Sequence, residues 1–360
     1  MTAYTHLSPA EIEAFGRELD AIRDEVKASL GARDAAYIRR LIRIQRMLDL
    51  SGRALLFAGV LPPAWLAGTA LLSVAKILEN MEIGHNVMHA QWDWMRDPKI
   101  HSSTWEWDTA CPAAQWKHSH NYMHHTYTNV VGMDRDVGYG ILRMSPKQRW
   151  RVWNLGQPVY NAWLAILFQY GVALHDVEFD RVVQGKKTWR EAWTQLKAIA
   201  RKTSRQTLKD YVLFPVLAGP FFAYVFAGNL TANLVRNLWA YAIIFCGHFP
   251  AGAHTFEPEA VANETRGHWY LRQLLGSCNI RGGKLFHILS GNLSHQIEHH
   301  LFPDLPSNRY AEIAPRVQAL CAKYGLPYNS ASFTRQFGTT LWRVLRLSLP
   351  GGQSLEPAPA

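Results

Sequence analysis

Nine of the sixteen histidines fall in three short clusters, and this constrains the fold more than any other feature of the chain. The clusters read His85-x-x-x-His89; His118, His120 and His124-His125; and His295 with His299-His300. Two share one register, since His120-Asn-Tyr-Met-His124-His125 and His295-Gln-Ile-Glu-His299-His300 each place a histidine four residues before a His-His pair. Residues four apart lie on one face of a helix, so each cluster can aim two imidazoles at one point with a third beside them. A fold that uses all three must gather segments from both halves of the chain. A metal centre is the simplest object that requires this.

At 360 residues the chain has room for one large domain or two small ones, and neither length nor motif order suggests a break between the clusters. The mean hydropathy of -0.15 averages apolar segments of membrane length with polar, aromatic-rich stretches. The mixture predicts an integral membrane protein with a large aqueous part. The net charge of +10 does not point to nucleic acid, because the basic residues are dispersed beside apolar segments. Arg39, Arg40, Arg43, Arg46 and Arg53 precede one apolar run; Lys186, Lys187, Arg201, Lys202, Arg205 and Lys209 precede another. Loops retained on the cytoplasmic side have this bias, and membrane lipid or an anionic head group is the expected partner. Cys111, Cys246, Cys278 and Cys321 form no C-x-x-C, which argues against a disulfide framework and for a reducing compartment. No secretory leader is expected from the polar first residues.

Ser8-Pro9-Ala10-Glu11 predicts a helix start, and Ile12, Phe15, Leu19, Ile22 and Val26 give the helix one apolar stripe to about Leu30. Residues 1–50 are read as a cytosolic amphipathic region, 51–350 as the membrane domain and 351–360 as a disordered tail. The apolar run Ala54 to Ala75 is interrupted by Pro62-Pro63, which predicts a hairpin turning at the prolines. Three later runs are Pro158 to Leu174, Tyr211 to Ala227 and Leu234 to Phe249. If the second and third clusters share a site, the chain crosses the membrane an even number of times between them. Tyr160, Asn161, Gln169 and Tyr170 mark the first of these runs as interfacial, leaving the other two as a second hairpin. The fold class expected is an all-α integral membrane protein with about four transmembrane helices plus interfacial helices. The third cluster is placed on a helix ended by Pro303, with further helices near Arg309 to Tyr324 and Phe333 to Leu347.

Neutral imidazole suits iron, zinc, copper and nickel, so ligand type alone does not name the metal. Catalytic zinc takes three protein ligands and structural zinc four, whereas eight or nine histidines imply two ions with open positions. A paired redox metal that uses oxygen is favoured, and the absence of H-E-x-x-H removes the common zinc protease pattern. The expected ligands are His85, His89, His120, His124, His125, His299 and His300. His248, at the end of an apolar run in Cys-Gly-His-Phe-Pro, is a candidate extra ligand because an ionisable residue there needs a partner. His295 matches the shared register, while its neighbour Gln296 competes for the same role. His118 is read as outer layer or surface; His6, His101, His175, His254, His268 and His287 are read as ordinary core or interface histidines.

These residues resemble the membrane-bound fatty acid desaturases with three histidine boxes. Gly84-His-Asn-Val-Met-His89 fits the first box, His120 to His125 the second, and Gln296-Ile-Glu-His-His-Leu-Phe-Pro303 the third. The likeness covers roughly Ala54 to Val317. WDWMRDP at Trp92 to Pro98 and GMDRDVGYG at Gly132 to Gly140 are most similar to bacterial acyl-CoA desaturases of the mycobacterial stearoyl type. The resemblance implies a helical membrane stem, as in the bacterial inner membrane, under a cytosolic cap. The cap would hold a non-haem pair of iron ions that uses O2 and two electrons to place a cis double bond in a long-chain acyl-CoA or acyl lipid. Position 9 is the first expectation, and His248 becomes the extra family histidine. Gln296 departs from the commonest third box, where many members carry histidine. With no fused cytochrome b5 domain evident, electrons are expected from a separate ferredoxin, cytochrome b5 or flavin reductase.

An unactivated methylene offers an acid or base nothing to grip, so a bound oxidant must act while protein groups hold the chain and exclude water. Asn121, Asn129, Asp134, Asp136, Glu106, Glu298 and Gln296 are candidates for orienting the imidazoles. Trp92, Trp94, Trp105, Trp107 and Trp116 are candidates to line an acyl tunnel or a lipid boundary. Lys117, Arg143, Arg149, Arg281 and Lys284 are candidates to hold head-group phosphates. Two rivals stand beside this reading. A hydroxylase of an alkane, sterol or carotenoid would use the same metal pair, and a membrane metal transporter or sensor would use histidines without consuming oxygen.

Overall fold

Helix α1 (Pro9–Ala28) begins where the sequence predicts, with the Ser8 amide donating to Glu11 and the Glu11 amide donating back to Ser8 Oγ. Its stripe of Ile12, Phe15, Leu19, Ile22 and Val26 is buried in one core with Tyr270, Leu274 and Leu320. The computed structural model describes residues 6–351, so positions 352–360 of the expected disordered tail lie outside the described residues.

Helix α2 (Ala32–Phe57) runs unbroken across position 50, so the boundary expected there falls inside a helix. The arginines before it and the apolar residues after it share one rod. A short turn leads to α3 (Pro62–Ile77), which continues through wide π turns over Leu78–His85 to Met88. The hairpin therefore turns just before the prolines. Pro62-Pro63 occupies the first positions of the returning helix, where an absent N–H leaves no hydrogen bond unmade. The two arms approach closely because Gly52 and Gly68 face one another. A Cβ on Gly52 would lie 2.8 Å from the Leu72 amide nitrogen and 2.9 Å from the Gly68 carbonyl oxygen. We expect Gly52→Ala to destabilise the hairpin by about 1–3 kcal/mol, read as a lowered unfolding temperature in detergent. An unchanged temperature would show that the arms separate freely.

Helix α4 occupies residues 113–127 and is again π-wound over Lys117–His124. The predicted interfacial run is two short helices, α5 (Gln157–Ile166) and α6 (Phe168–His175), with Val159, Tyr160, Trp163 and Leu174 exposed. Helix α7 (Trp189–Thr207) extends through Leu208–Leu213 and Phe214–Leu217, the chain turns over Gly219–Phe221, and α8 (Phe222–His248) returns. This corrects the placement of the second hairpin. The run Tyr211 to Ala227 is not one arm but contains the tip. Gly219 has φ of +55° and is followed by Pro220, whose ring removes the N–H a continuing helix would need.

The two hairpins pack as a four-helix stem, with α8 against α2 and α3. No helix among the described residues is long and apolar enough to cross a membrane. Charges sit inside the stem: Arg53 pairs with Asp49 and with Asp210, and Lys76 reaches Asp210 at 2.7 Å. The remaining elements form the cap around the histidines. Helix α9 (Arg266–Leu275) leads to strand β1 (Asn279–Arg281), then α10 (Gln296–Leu301), α11 (Tyr310–Lys323), strand β2 (Ser330–Ser332) and α12 (Phe333–Ser348). The strands pair in parallel, Ile280 opposite Ala331. The late helices thus match their predicted positions, and α10 ends just before Pro303.

Candidate metal centre

The first two clusters straddle the ends of π-wound stretches, with His85, His118, His120 and His124 inside them and His89 and His125 just beyond, and each π turn is wider than the α-helical geometry assumed from spacing alone. Single π turns inside helices are frequent at functional sites. Here they fan neighbouring imidazoles toward one volume. The ring centroids of His85 and His89 are 4.7 Å apart, and those of His120 and His124 are 4.9 Å apart. Helix α10 closes the set from the far end of the chain: His89 lies 4.7 Å from His299, and His125 lies 4.4 Å from His300. His248, at the end of α8, is 4.7 Å from His124.

The ring nitrogens form overlapping groups whose ligand atoms lie within 4.8 Å of one another. These are His85, His89, His120 and His299; His124, His248 and His300; and His125 with His299 and His300. The rings are buried, His120 slightly less than the rest. Burial, reinforced by repulsion from neighbouring imidazoles, holds His85, His89, His125, His248, His299 and His300 well below the ordinary histidine range. They are neutral and carry free lone pairs, the form that binds metal. Nε2 of His89, His120, His124, His125 and His300, and Nδ1 of His248, meet no hydrogen-bond partner. A buried polar atom left unpaired costs about 1–3 kcal/mol. So many at one point fit a metal site and little else.

On three of the rings the other nitrogen is occupied. His124 Nδ1 lies 2.9 Å from Asp134 Oδ2, His120 Nδ1 is 3.2 Å from Asp136 Oδ2, and His300 Nδ1 is 2.9 Å from Gln273 Oε1. Each contact fixes a ring and leaves Nε2 aimed inward. Asp134 is itself held by the amides of Asn129 and Asp136. Gln273 on α9 and Tyr310, 3.3 Å from His299 Nδ1, did not stand out in the sequence. A polar residue on an amphipathic helix carries no spacing signal of this role.

A family model described as fatty acid desaturase matches residues 61–332. The chain belongs to the fatty acid desaturase family. An NADPH-dependent stearoyl-CoA 9-desaturase of Mycobacterium tuberculosis (strain ATCC 25618 / H37Rv) is 52% identical over 96% of this chain and 82% of the relative. An sn-1 linoleoyl-lipid 6-desaturase of Synechocystis is 24% identical over 81% of the chain and 82% of the relative, and a fatty acid desaturase 3 of Bos taurus is 27% identical over 65% and 49%. The protein is therefore an oxidoreductase that desaturates fatty acyl chains, in a membrane-associated family that generally uses a di-iron centre and oxygen.

Beside the histidines the desaturase has a narrow recessed cavity of about 50 Å³. His85, His120, Asp136 and His175 form one wall, and Trp107, Trp116, Tyr139, Phe168, Val172 and Ile244 supply apolar lining. Of the five tryptophans, Trp107 and Trp116 thus line the cavity. Trp92 is buried in a separate core with Ile38 and Val87, Trp94 is exposed, and Trp105 packs at a core edge. The cavity shares Ser119 with a polar pocket, and that pocket shares His118, Glu178 and Gln195 with an open basic mouth bearing Arg181, Lys186, Lys187 and Arg190.

The basic residues singled out in the sequence line neither the cavity nor the mouth. Lys117 donates to the Ser102 carbonyl, and Arg143 clamps the carbonyls of Gln148 and Leu347. Arg149, Arg281 and Lys284 are exposed. Among the orienting candidates, Asn121 donates to the Met88 carbonyl and Asn129 to those of His254 and Gly276, tying box segments together without touching imidazoles. Glu106 pairs with Lys202 at the surface, and Glu298 accepts from Asn279 and Tyr328. His295 is not brought to the centre. Its ring stacks on His287 at 4.5 Å, and it is Gln296 whose carboxamide reaches His248 Nε2 at 2.9 Å. The helix starts at Gln296, so His295 precedes the turn that would aim it inward.

Proposed function

We propose that the protein is an acyl-CoA desaturase that inserts a cis double bond at position 9 of a long saturated chain. Its metal ligands in this reading are His85, His89, His120, His124, His125, His248, His299 and His300, holding two iron ions. The observation that carries it is the convergence of buried, neutral, unpartnered imidazole nitrogens beside an apolar cavity. When bound, iron supplies the one-electron oxygen chemistry that side chains cannot. The chain's own residues do the rest: Trp107, Trp116, Phe168 and Val172 hold the acyl methylenes and exclude water. Asp134, Asp136 and Gln273 keep the rings aimed. The mouth with Arg181, Lys186, Lys187 and Arg190 suits a polyphosphate head group, which supports acyl-CoA over a neutral lipid. The 52% identical relative is named for stearoyl-CoA and for position 9.

The relative's NADPH dependence favours a flavin reductase among the expected electron donors, because a flavin splits a hydride into the single electrons iron accepts. We place residues 51–350 as the membrane domain and read the two hairpins as its four membrane segments. Their ends expose Leu61, Leu66, Val216, Leu217 and Phe222, apolar side chains that favour lipid over water. The histidine cap then faces the cytoplasm, where the basic N-terminal helices lie.

Expression in a host with simple lipids, with iron and an NADPH-driven flavin reductase supplied, followed by mass spectrometry of derivatised fatty acids, tests the reading. A new position-9 monoene is expected. An alcohol instead would turn the assignment to a hydroxylase, and metal movement without oxygen consumption would turn it to transport. Asp134→Asn leaves His124 with a weaker acceptor and is expected to cost about 10- to 100-fold in iron retention or turnover, measured as iron per chain after dialysis against a chelator. Full retention would remove Asp134 from the support of the centre.

A further inference from the structure

His175, at the end of α6, is one of the histidines that sequence reasoning assigns to ordinary packing, and it lies next to the centre without belonging to it. Its side chain is buried, with Nε2 2.9 Å from Asp136 Oδ1 and Nδ1 2.8 Å from the Val172 carbonyl oxygen. An oxygen of Asp176 lies 3.1 Å from the same Nδ1. Every one of these partners is an acceptor. A neutral imidazole has one N–H to donate, so contacts with acceptors at both nitrogens require the doubly protonated ring. Burial opposes the charge, but Asp176 and Asp136 outweigh it and hold the ring up at about 9. The carboxylate it meets is the one that steadies the centre, since the other oxygen of Asp136 takes the contact from His120 Nδ1 at 3.2 Å.

We propose that His175 is a positioning residue of the desaturase: a buried imidazolium that locks Asp136 between itself and His120, and thereby aims His120 Nε2 into the histidine cluster. The inference rests on the reading of that cluster as the iron centre. Three carboxylates, Asp134, Asp136 and Asp176, crowd the outer side of the second box, and their mutual repulsion would splay them without a cation among them. His175 is the cation that touches both Asp136 and Asp176, and Arg135 adds its charge near Asp176. Cys111 adds an S–H contact to Asp176 at 3.1 Å, and the Tyr139 ring lies 5.0 Å away, so the imidazole is held among protein groups at the edge of the cavity. A buried carboxylate that loses its cation partner is driven to take up a proton or to move, and His120 loses its acceptor in either case.

The test uses the full chain loaded with 57Fe in detergent, comparing the parent with His175→Gln and His175→Phe. Gln keeps a donor for Asp136 but carries no charge; Phe keeps only the ring shape. The readouts are iron per chain after dialysis, the Mössbauer spectrum, and kcat and KM for a stearoyl-CoA substrate. For His175→Phe we expect iron retention or kcat to fall by about 10- to 100-fold, one of the two iron signals to shift, and KM to stay within about twofold, as expected when ground-state binding is intact. For His175→Gln we expect the same signal to shift with a smaller loss. A cavity-wall role alone would raise KM and leave the iron spectrum unchanged, which would overturn the proposal. Parent-like spectra and retention in His175→Phe would overturn it as well, and if that variant does not fold, the same outcome in His175→Gln does so. A parent that retains no iron would instead sink the reading of the centre.

Discussion

Replacing His299 with alanine is expected to strip iron from both halves of the centre and to lower alkene formation by at least about 1000-fold, because no side chain can substitute for the lost redox chemistry. The size follows from position. His299 belongs to the group with His85, His89 and His120 and also to the group with His125 and His300. Its Nε2 is 3.4 Å from His85 Nε2, and its Nδ1 is braced by the Tyr310 hydroxyl. Losing an outlying ligand would leave the rest of its group in place, whereas losing His299 opens two groups at once. The matched control is His295→Ala, a change in the same box at a ring that stacks on His287 and faces away. Activity there should stay within about twofold, since substitutions remote from special features are usually small. Iron per chain and the fatty acid profile of expressing cells measure both variants. Loss of product in His295→Ala with His299→Ala intact would invert the assignment of the third box.

The contrast between His295 and His299 also shows what spacing can reveal. Register alone treats His120 and His295 alike, because both stand four residues before a His-His pair. The backbone separates them: the second box is one continuous wide helix, whereas the third begins its helix at Gln296. Cluster spacing points to the convergent histidines because it is a local, periodic signal. The turn of the first hairpin was legible for a similar reason, as proline chemistry acts on its own neighbours. The tip of the second hairpin was not, since Gly219-Pro220 lies inside a run that hydropathy averages into one apolar segment. Gln273, Tyr310 and His175 were hidden because their roles depend on packing between helices far apart in sequence. The basic residues near the boxes in sequence clamp carbonyls or face solvent, whereas the proposed head-group mouth takes Arg181, Lys186 and Arg190 from a distant turn.

Glu82→Leu should produce the largest loss of stability, on the order of 3–5 kcal/mol, because it leaves three buried donors without their acceptor. Glu82 lies one turn before His85 and is fully buried. Its Oε1 accepts from Tyr37 at 2.7 Å and Ser307 at 2.6 Å, and its Oε2 accepts from Asn292 at 2.9 Å. Those partners come from α2 and from the segments on either side of the third box, so one carboxyl ties the first box to the third. Iron retention should fall with stability, as the two ligand segments lose their common anchor. Glu82→Gln keeps one oxygen for Tyr37 and Ser307, and Asn292 can turn its amide to meet the new N–H. That variant should lose only about 0.5–1.5 kcal/mol, the scale of one hydrogen bond. Burial, opposed by these donors, pushes Glu82 up to about 8. The folded protein then holds a proton that the unfolded chain releases near 4.5, so this group's contribution to stability is full below 4.5 and declines as pH rises toward 8. Glu82→Gln, with nothing to titrate, should flatten that decline. Unfolding temperatures in detergent at pH 5 and pH 8 for parent, Gln and Leu variants measure all three expectations. Equal losses in Gln and Leu would show that the acceptor geometry of Glu82 does not hold the boxes together.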